Sequence, residues 1–339
     1  MREPDAAFWS GTTVVVTGGA GFLGSALVWE LNRRGQSNIL VADLLADDEK
    51  WKNLAPLQFV DYIEADDFIQ RLEQSPQAFS NITSVFHLGA CSSTTETDAA
   101  YLIRNNFEYT KKMAQFALET GRRFVYASSA ATYGALEMSV PETIALPCLR
   151  PLNMYGYSKH LFDCYAERAG MLPRLTGLKY FNVFGPNEYH KGEMRSVVHK
   201  AFHQIQEKGS VSLFKSYRAE FPDGGQRRDF LYVKDAIAAT LFLAENVDGN
   251  GLFNIGSGEA STWLSLVNAI FGALDRKPNI EFIAMPEYLR EKYQYFTCAH
   301  IDKLRSSGFN QPITPLADAV HDYVRNYLVE GRHLGDEKT

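Results

Sequence analysis

The sequence predicts an α/β fold: a doubly wound parallel sheet with a smaller, loop-rich C-terminal lobe. Three observations carry that prediction. A short β-branched run, Thr12 to Thr17, leads directly into a glycine turn and then into a helical apolar pattern. Further strand-like runs alternate with helical stretches of about ten or more residues, which is the signature of parallel βαβ units. After Asn182 this regularity loosens into short pieces separated by glycine and proline.

Each element has its own physical reason. Thr12 to Thr17, TTVVVT, reads as a strand buried on both faces, where β-branched side chains pack well. It ends in Gly18, Gly19, Ala20 and Gly21, and Leu23, Leu27 and Leu31 follow at helical spacing. Asn38 to Ala42 is a second strand, closed by Asp43, and Ser84 to Leu88 is another. Leu102, Asn106, Tyr109, Met113 and Phe116 mark one face of a long helix, and Arg123 to Ala127 is the strand after it. A helix over about 153–168 leads to a strand at Thr176 to Tyr180. Beyond Asn182, Gly185-Pro186, Gly192, Pro222 to Gly225 and Gly256 to Gly258 interrupt the chain. The tail from Gly331 is polar and is expected to fray.

Composition narrows the function. The 339 residues suffice for two domains, and 45% hydrophobic with 22% charged residues is ordinary globular usage. A net charge of −6 argues against a nucleic-acid binder, so an anionic ligand needs a local cluster of Lys and Arg. The four cysteines, Cys91, Cys148, Cys164 and Cys298, are too few and too scattered for a disulfide scaffold or CxxC chemistry. Met1 to Trp9 has no apolar core and is not expected to be a signal peptide, and no run is long enough to span a membrane. A cytoplasmic protein without membrane or nucleic-acid partners is expected. His199 and His203 are spaced i, i+4 with His190 near, but neither a defined third ligand nor a glutamate base is set up, so no metal site is expected.

Two constellations carry chemistry. Gly18, Gly21 and Gly24 form a GxxGxxG turn between strand and helix. Such glycines let the backbone approach a pyrophosphate, which then rests on the amides opening the helix. Asp43 ends the next strand, where an acid can bind an adenosine ribose. This is a Rossmann-type arrangement, and it divides the chain into a dinucleotide-binding domain over 1–181 and a mainly substrate-binding lobe over 182–339. About 228–255 is expected to return to the first domain. The second constellation is Tyr155 and Lys159, at i and i+4 on one helix face. A phenol serves as a base near neutral pH only if its pKa falls by about 3 units, roughly 4 kcal/mol, which a cation about 4 Å away can supply. Ser129, at a strand end, is placed to bind a substrate hydroxyl while Tyr155 takes its proton.

These segments, TGGAGFLG, HLGACSS, YASSAATYG, YGYSK and RDFLYV, resemble in their order the extended short-chain dehydrogenase/reductase superfamily. Within it, HLGACSSTTETD, PLNMYGYSKHLFD, LKYFNVFGPNEYHKG and KYQYFT look like the ADP-L-glycero-D-manno-heptose 6-epimerases, over about Thr13 to Tyr327. The resemblance implies an isomerase that inverts C6″ of ADP-D-glycero-D-manno-heptose by transient oxidation to a ketone and hydride return. It implies bound NADP, with NAD as the alternative, and a role in lipopolysaccharide core assembly; a homo-oligomer is expected.

Residue by residue, the resemblance implies that Gly18, Gly21, Phe22, Leu23 and Gly24 hold the pyrophosphate, and Asp43 and Leu44 the adenosine ribose. Lys50 matches a lysine near the 2′-phosphate. Leu88, Gly89, Ala90, Cys91, Ser92, Asn105 and Val183 would line the cofactor, together with Lys159. Ser129, Tyr155 and Lys159 match the catalytic trio, and Lys191 the second acid/base. Asn182, Phe214, Arg228 and Tyr293 would contact substrate. Glu193 and Lys200 stand at two further substrate-contacting positions, where the family pattern has serine and histidine. Ala65 replaces a lysine expected near the 2′-phosphate, and the stretch from Phe214 to Arg228 is longer than the short form of this segment. Lys215, Arg218, Gln226 and Arg227 supply polar and cationic groups there.

Two other readings remain open at this level. One is a different nucleotide-sugar enzyme of the same fold, such as a UDP-hexose 4-epimerase or a dehydratase. The dehydratase is disfavoured because Ala130-Ala131 follows Ser129, where those enzymes carry Asp-Glu. The other is a non-catalytic protein that senses NADP.

Overall fold

The computed structural model describes residues 8–9, 11–246, 248–290 and 293–336. The start of the chain up to residue 7, read above as lacking a signal peptide, lies outside them. The strands are β1 (Thr13–Thr17), β2 (Ile39–Asp43), β3 (Asp61–Glu64), β4 (Ile82–His87), β5 (Arg123–Ser129), β6 (Ser139–Val140) and β7 (Thr176–Tyr180). They continue with β8 (Asn182–Phe184), β9 (Val211–Phe214), β10 (Arg227–Tyr232), β11 (Gly251–Ile255), β12 (Ala260–Thr262), β13 (Ile280–Ile283) and β14 (Cys298–Ala299). The principal helices are α1 (Phe22–Arg33), α2 (Ala65–Gln74), α3 (Ala99–Leu102), α4 (Tyr109–Glu119), α5 (Met154–Arg168), α6 (Val197–Lys208), α7 (Val233–Glu245) and α8 (Trp263–Ala273).

Seven strands form one sheet in the order β11-β7-β5-β4-β1-β2-β3, and every pairing in it is parallel. Val14, Val15 and Val16 are fully buried between helical layers, each contributing about 2 kcal/mol of apolar burial. β11 closes the edge of this sheet beside β7, whereas β10 joins a three-stranded sheet between β8 and β12. The chain thus leaves the large sheet after β7 and comes back through α7, which packs on β5 and β7.

The structure departs from expectation in three places. β3 and α2 are additional; β3 is an exposed-faced edge strand, and α2 buries only Ala65, Phe68 and Leu72. The segment after Asn182 is more helical than a loop-rich lobe, with α6, α8 and the helix Leu316–Tyr323 beside α7. The tail does not fray where it is described. Leu334 is fully buried and donates its N–H to the Asn187 side chain at 2.9 Å, and the Tyr189 hydroxyl donates to the Arg332 carbonyl at 2.7 Å.

Candidate active site

The carboxyl ends of β1, β4, β5 and β7 open into a cleft of about 740 Å³. It lies where the strand order reverses between β1 and β4, the position at which doubly wound sheets bind ligands. Gly18 has φ +68°, and a Cβ there would come within 2.6 Å of the Gly89 Cα; at Gly24 it would strike the Gly18 carbonyl. Backbone passes backbone at these points, so no larger residue fits. α1 then begins with no acidic side chain in its first turn, which leaves its amides available to an anion. Asp43 accepts the Ala20 N–H at 2.8 Å and the Leu44 N–H at 2.7 Å, with the Lys50 ammonium 3.2 Å away. These groups fit a dinucleotide, pyrophosphate on α1 and ribose at Asp43. Behind them, His87 bridges Thr17 at 2.7 Å and Thr110 at 2.9 Å, and burial pushes its pKa down to about 3, so it stays neutral.

The reacting end is built on α5. Asn153 caps that helix by accepting the Gly156 N–H at 2.7 Å. A Cβ at Gly156 would come within 2.7 Å of the Ala131 carbonyl, so glycine is what lets the helix approach the end of β5. Tyr155, Lys159 and Ser129 all line the cleft. Lys159 is 4% exposed and donates to the Ala127 carbonyl at 2.9 Å. Burial pushes its pKa down to about 8, against the pull of Asp163. Burial also raises the Tyr155 phenol, and the Ser129 hydroxyl opposes that rise. One Lys159 donor is taken by the Ala127 carbonyl, and the ammonium has two more to offer on the helix face that carries Tyr155.

Lys191 lies on another wall, on a short 3₁₀ segment, Tyr189–Met194. Its ammonium sits 5.1 Å above the Phe22 ring, and burial lowers its pKa against the pull of Glu188. Arg228 also reaches the cleft. Its guanidinium donates to the Gln294 carbonyl at 2.5 Å and lies over the rings of Tyr293 and Trp263 at 5.3 and 5.8 Å. Asn182 lines the cleft and donates to the Asp229 carbonyl at 3.0 Å.

Gly18, Gly21, Phe22, Leu23, Gly24, Asp43, Lys50, Leu88, Gly89, Ala90, Cys91, Ser92 and Val183 come together in the same lining. Six other residues do not. Leu44 is exposed, and only its N–H touches Asp43. Asn105 turns away and donates to the Tyr101 carbonyl at 2.9 Å. Its neighbour Asn106 points inward and holds the Cys91 N–H and carbonyl, both at 2.9 Å. Glu193 and Lys200 pair with each other at 3.2 Å, and the Glu193 side chain is 94% exposed. Phe214 and Tyr293 pack edge to face behind Arg228 rather than in the lining.

Sequence reasoning missed Asn153, His190, Met194, Gln294 and Thr297, which also line the cleft. Asn153 carried a readable signal, a capping residue directly before a helix. His190 adjoins Lys191, and burial pushes its pKa down to about 4. Gln294 and Thr297 lie in the KYQYFT segment that carries the family resemblance, which contributes only Tyr293 to the expected site residues.

Residues 14–256 match the NAD dependent epimerase/dehydratase family. The ADP-L-glycero-D-manno-heptose-6-epimerase of Nitratidesulfovibrio vulgaris is 51% identical over 316 residues, 93% of this chain and 97% of that protein. The crystal structure of the Helicobacter pylori ADP-L-glycero-D-manno-heptose-6-epimerase superposes with a TM-score of 0.80 at 25% identity, covering 96% and 99% of the two chains. A Thermus thermophilus UDP-glucose 4-epimerase solved with NAD has a TM-score of 0.69 at 25% identity, covering 92% and 98%. With the glycine turn, the Tyr155/Lys159 pair and the sheet topology in agreement, the chain belongs to the ADP-L-glycero-D-manno-heptose-6-epimerases of the NAD dependent epimerase/dehydratase family.

Proposed function

We propose that this protein is an isomerase that converts ADP-D-glycero-D-manno-heptose to the L-glycero epimer by inverting C6″. The observation that carries the reading is that Tyr155 with Ser129 and Lys191 reach one cleft from separate walls. Inversion through a ketone calls for a proton acceptor on one face and a donor on the other. Ser129 orients the C6″ hydroxyl, and Tyr155 removes its proton. When bound, the nicotinamide dinucleotide supplies reversible hydride acceptance at C6″. After the ketone has turned its other face, C6″ would take the hydride back from the bound nicotinamide and Lys191, kept in reach by its loop, would supply a proton to the C6″ oxygen.

Gly18, Gly21 and Gly24 with the amides of α1 hold the pyrophosphate, and Asp43 the ribose. Lys50, which matches a family lysine near the 2′-phosphate and lines the cleft beside Asp43, supports NADP over NAD. Arg228, in front of Tyr293 and Trp263, meets the substrate diphosphate. The working division is a dinucleotide-binding domain over 1–181 and a substrate lobe over 182–339, in a cytoplasmic homo-oligomer acting in lipopolysaccharide core assembly.

The test is an epimerisation assay with ADP-D-glycero-D-manno-heptose and UDP-glucose run in parallel, with mass spectrometry of the bound cofactor. Turnover of the heptose alone, without net cofactor consumption, is expected. Preferential turnover of UDP-glucose overturns the substrate assignment, and bound cofactor with turnover of neither sugar overturns the enzymatic one.

A further inference from the structure

Behind the reacting end lies an ion pair that the proposed reaction does not use. Asp163 on α5 and Lys179 on β7 meet at 2.7 Å with side-chain exposures of 0% and 1%. The polar bonds around them run to β5 and to the turn that follows it. The Tyr126 hydroxyl donates to one Asp163 oxygen at 2.8 Å and the Ser128 hydroxyl to the other at 2.8 Å. Lys179 also donates to the Thr132 hydroxyl at 2.7 Å, and that hydroxyl donates to the carbonyl of Ser129 at 2.8 Å. Lys159, one turn before Asp163, donates to Ala127 two residues ahead of Ser129. The pair thus ties the helix carrying Tyr155 and Lys159 to the strand end carrying Ser129.

Stability alone does not explain such a pair. Removing two charges from water costs about as much as their attraction returns, and apolar replacement of a buried pair is often neutral or stabilising. A fully satisfied buried network does something apolar packing does not: it fixes one arrangement of the groups it joins.

We infer that the Asp163–Lys179 pair is the positioning unit of the reaction centre, locking the end of β5 against α5 so that Ser129, Tyr155 and Lys159 face one substrate hydroxyl. This rests on the reading of those three as the reacting trio. The charge on Asp163 has a second consequence. Lys159 faces Asp163 on its own helix, the Cys91 thiol from the loop after β4 and His87 on β4. Burial raises the Cys91 thiol and holds His87 neutral, which leaves Asp163 as the first group of this set to favour the charged form of Lys159. It opposes the burial that pushes Lys159 down to about 8. Without Asp163, Lys159 loses its proton at lower pH.

The test is the double variant Asp163→Leu/Lys179→Met, assayed for heptose turnover with its Tm and bound cofactor measured. The expected result is an unchanged Tm and cofactor content, an unchanged KM, and kcat down about a hundredfold, the scale of an ångström's misplacement. The alkaline limb of kcat should also move to lower pH. Wild-type kcat with an unmoved limb overturns the inference. Should the double variant fail to fold, Ser128→Ala and Thr132→Val each cut one link while keeping the charges. Reduced kcat in both supports the inference, and wild-type kcat in both overturns it. Lys159→Met, run alongside, separates the two levels. An active Lys159→Met overturns the trio and the inference with it, whereas an inactive one beside a wild-type double variant overturns the inference alone.

Discussion

The two walls that carry the proposed proton-transfer groups are built by opposite means. Tyr155 stands on a fifteen-residue helix packed against the sheet, and its surroundings are joined by buried bonds from β5, α5 and β7. Lys191 stands on a short segment tied at its two ends. Glu188, before it, accepts the Ser196 N–H and hydroxyl at 2.5 and 2.6 Å and so closes the loop on itself. Asn187 is pinned between the Ser25 hydroxyl on α1, at 2.9 Å, and the Leu334 N–H from the far end of the chain, at 2.9 Å. One group is set by the core and the other by a strap. The difference teaches that the first cannot be displaced without disturbing the sheet, while the second can be loosened with the fold intact.

Removing each group in turn is the strongest way to break this comparison. Tyr155→Phe keeps the ring and its packing and loses only the hydroxyl, so cofactor and Tm should be retained while kcat falls about a thousandfold. Lys191→Met should cost about a hundredfold, because a loop site admits water as a substitute proton donor. Near-wild-type turnover in Tyr155→Phe removes that residue from the base role. Unchanged epimerisation in Lys191→Met places the second acid elsewhere and ends the two-wall reading.

The strap itself is the next test. Glu188→Ala opens the clasp and leaves the Ser196 N–H without its acceptor, a cost of about 1–3 kcal/mol in stability. Glu188→Gln keeps an acceptor for that N–H and a donor for the hydroxyl. The expectation is a fall in kcat of about tenfold for Glu188→Ala, short of the loss from a full ångström's displacement. Glu188→Gln should stay closer to wild type, with the alkaline limb moved down because Glu188 opposes the burial of Lys191. Equal losses in both variants would mean that the charge, and not the clasp, governs the loop.

The same contrast explains what could be read from the sequence. The core wall was legible because its elements obey short-range rules. TTVVVT before three glycines, and Tyr155 and Lys159 one turn apart, state their conformations locally. Asn106 reads in the sequence only as one position of a helix face, with the cofactor contact assigned to Asn105, whereas it is Asn106 that holds the backbone of Cys91. Lys179 is a charged residue inside the buried strand TGLKY, but its partner Asp163 lies on another element, and only the fold joins them. The strap was not legible for the same reason. Asn187, Glu188 and Tyr189 find their partners at Ser25, Ser196 and Arg332, and no spacing rule links such distant positions. The additional helices after Asn182 escaped notice because glycine and proline punctuate the stretches between them, and punctuation was read as loop.

The smallest expected effect tests where the strap stops mattering. Glu193 and Lys200 follow Lys191 closely and stand where the family pattern has substrate contacts, yet neither lines the cleft. Lys200 is satisfied by the Glu193 carbonyl at 2.5 Å and by its carboxylate at 3.2 Å. A pair this exposed contributes about 0–1 kcal/mol, and its charges are screened from the substrate by water. Glu193→Ala and Lys200→Ala should therefore leave KM and kcat within about twofold of wild type, the scale of that small energy. A rise of about tenfold in KM, roughly 1.4 kcal/mol of lost binding, would mean that this exposed pair opens and its members turn onto the substrate. The strap would then be a closing element along its whole length, and its looseness relative to the Tyr155 wall would itself serve the reaction.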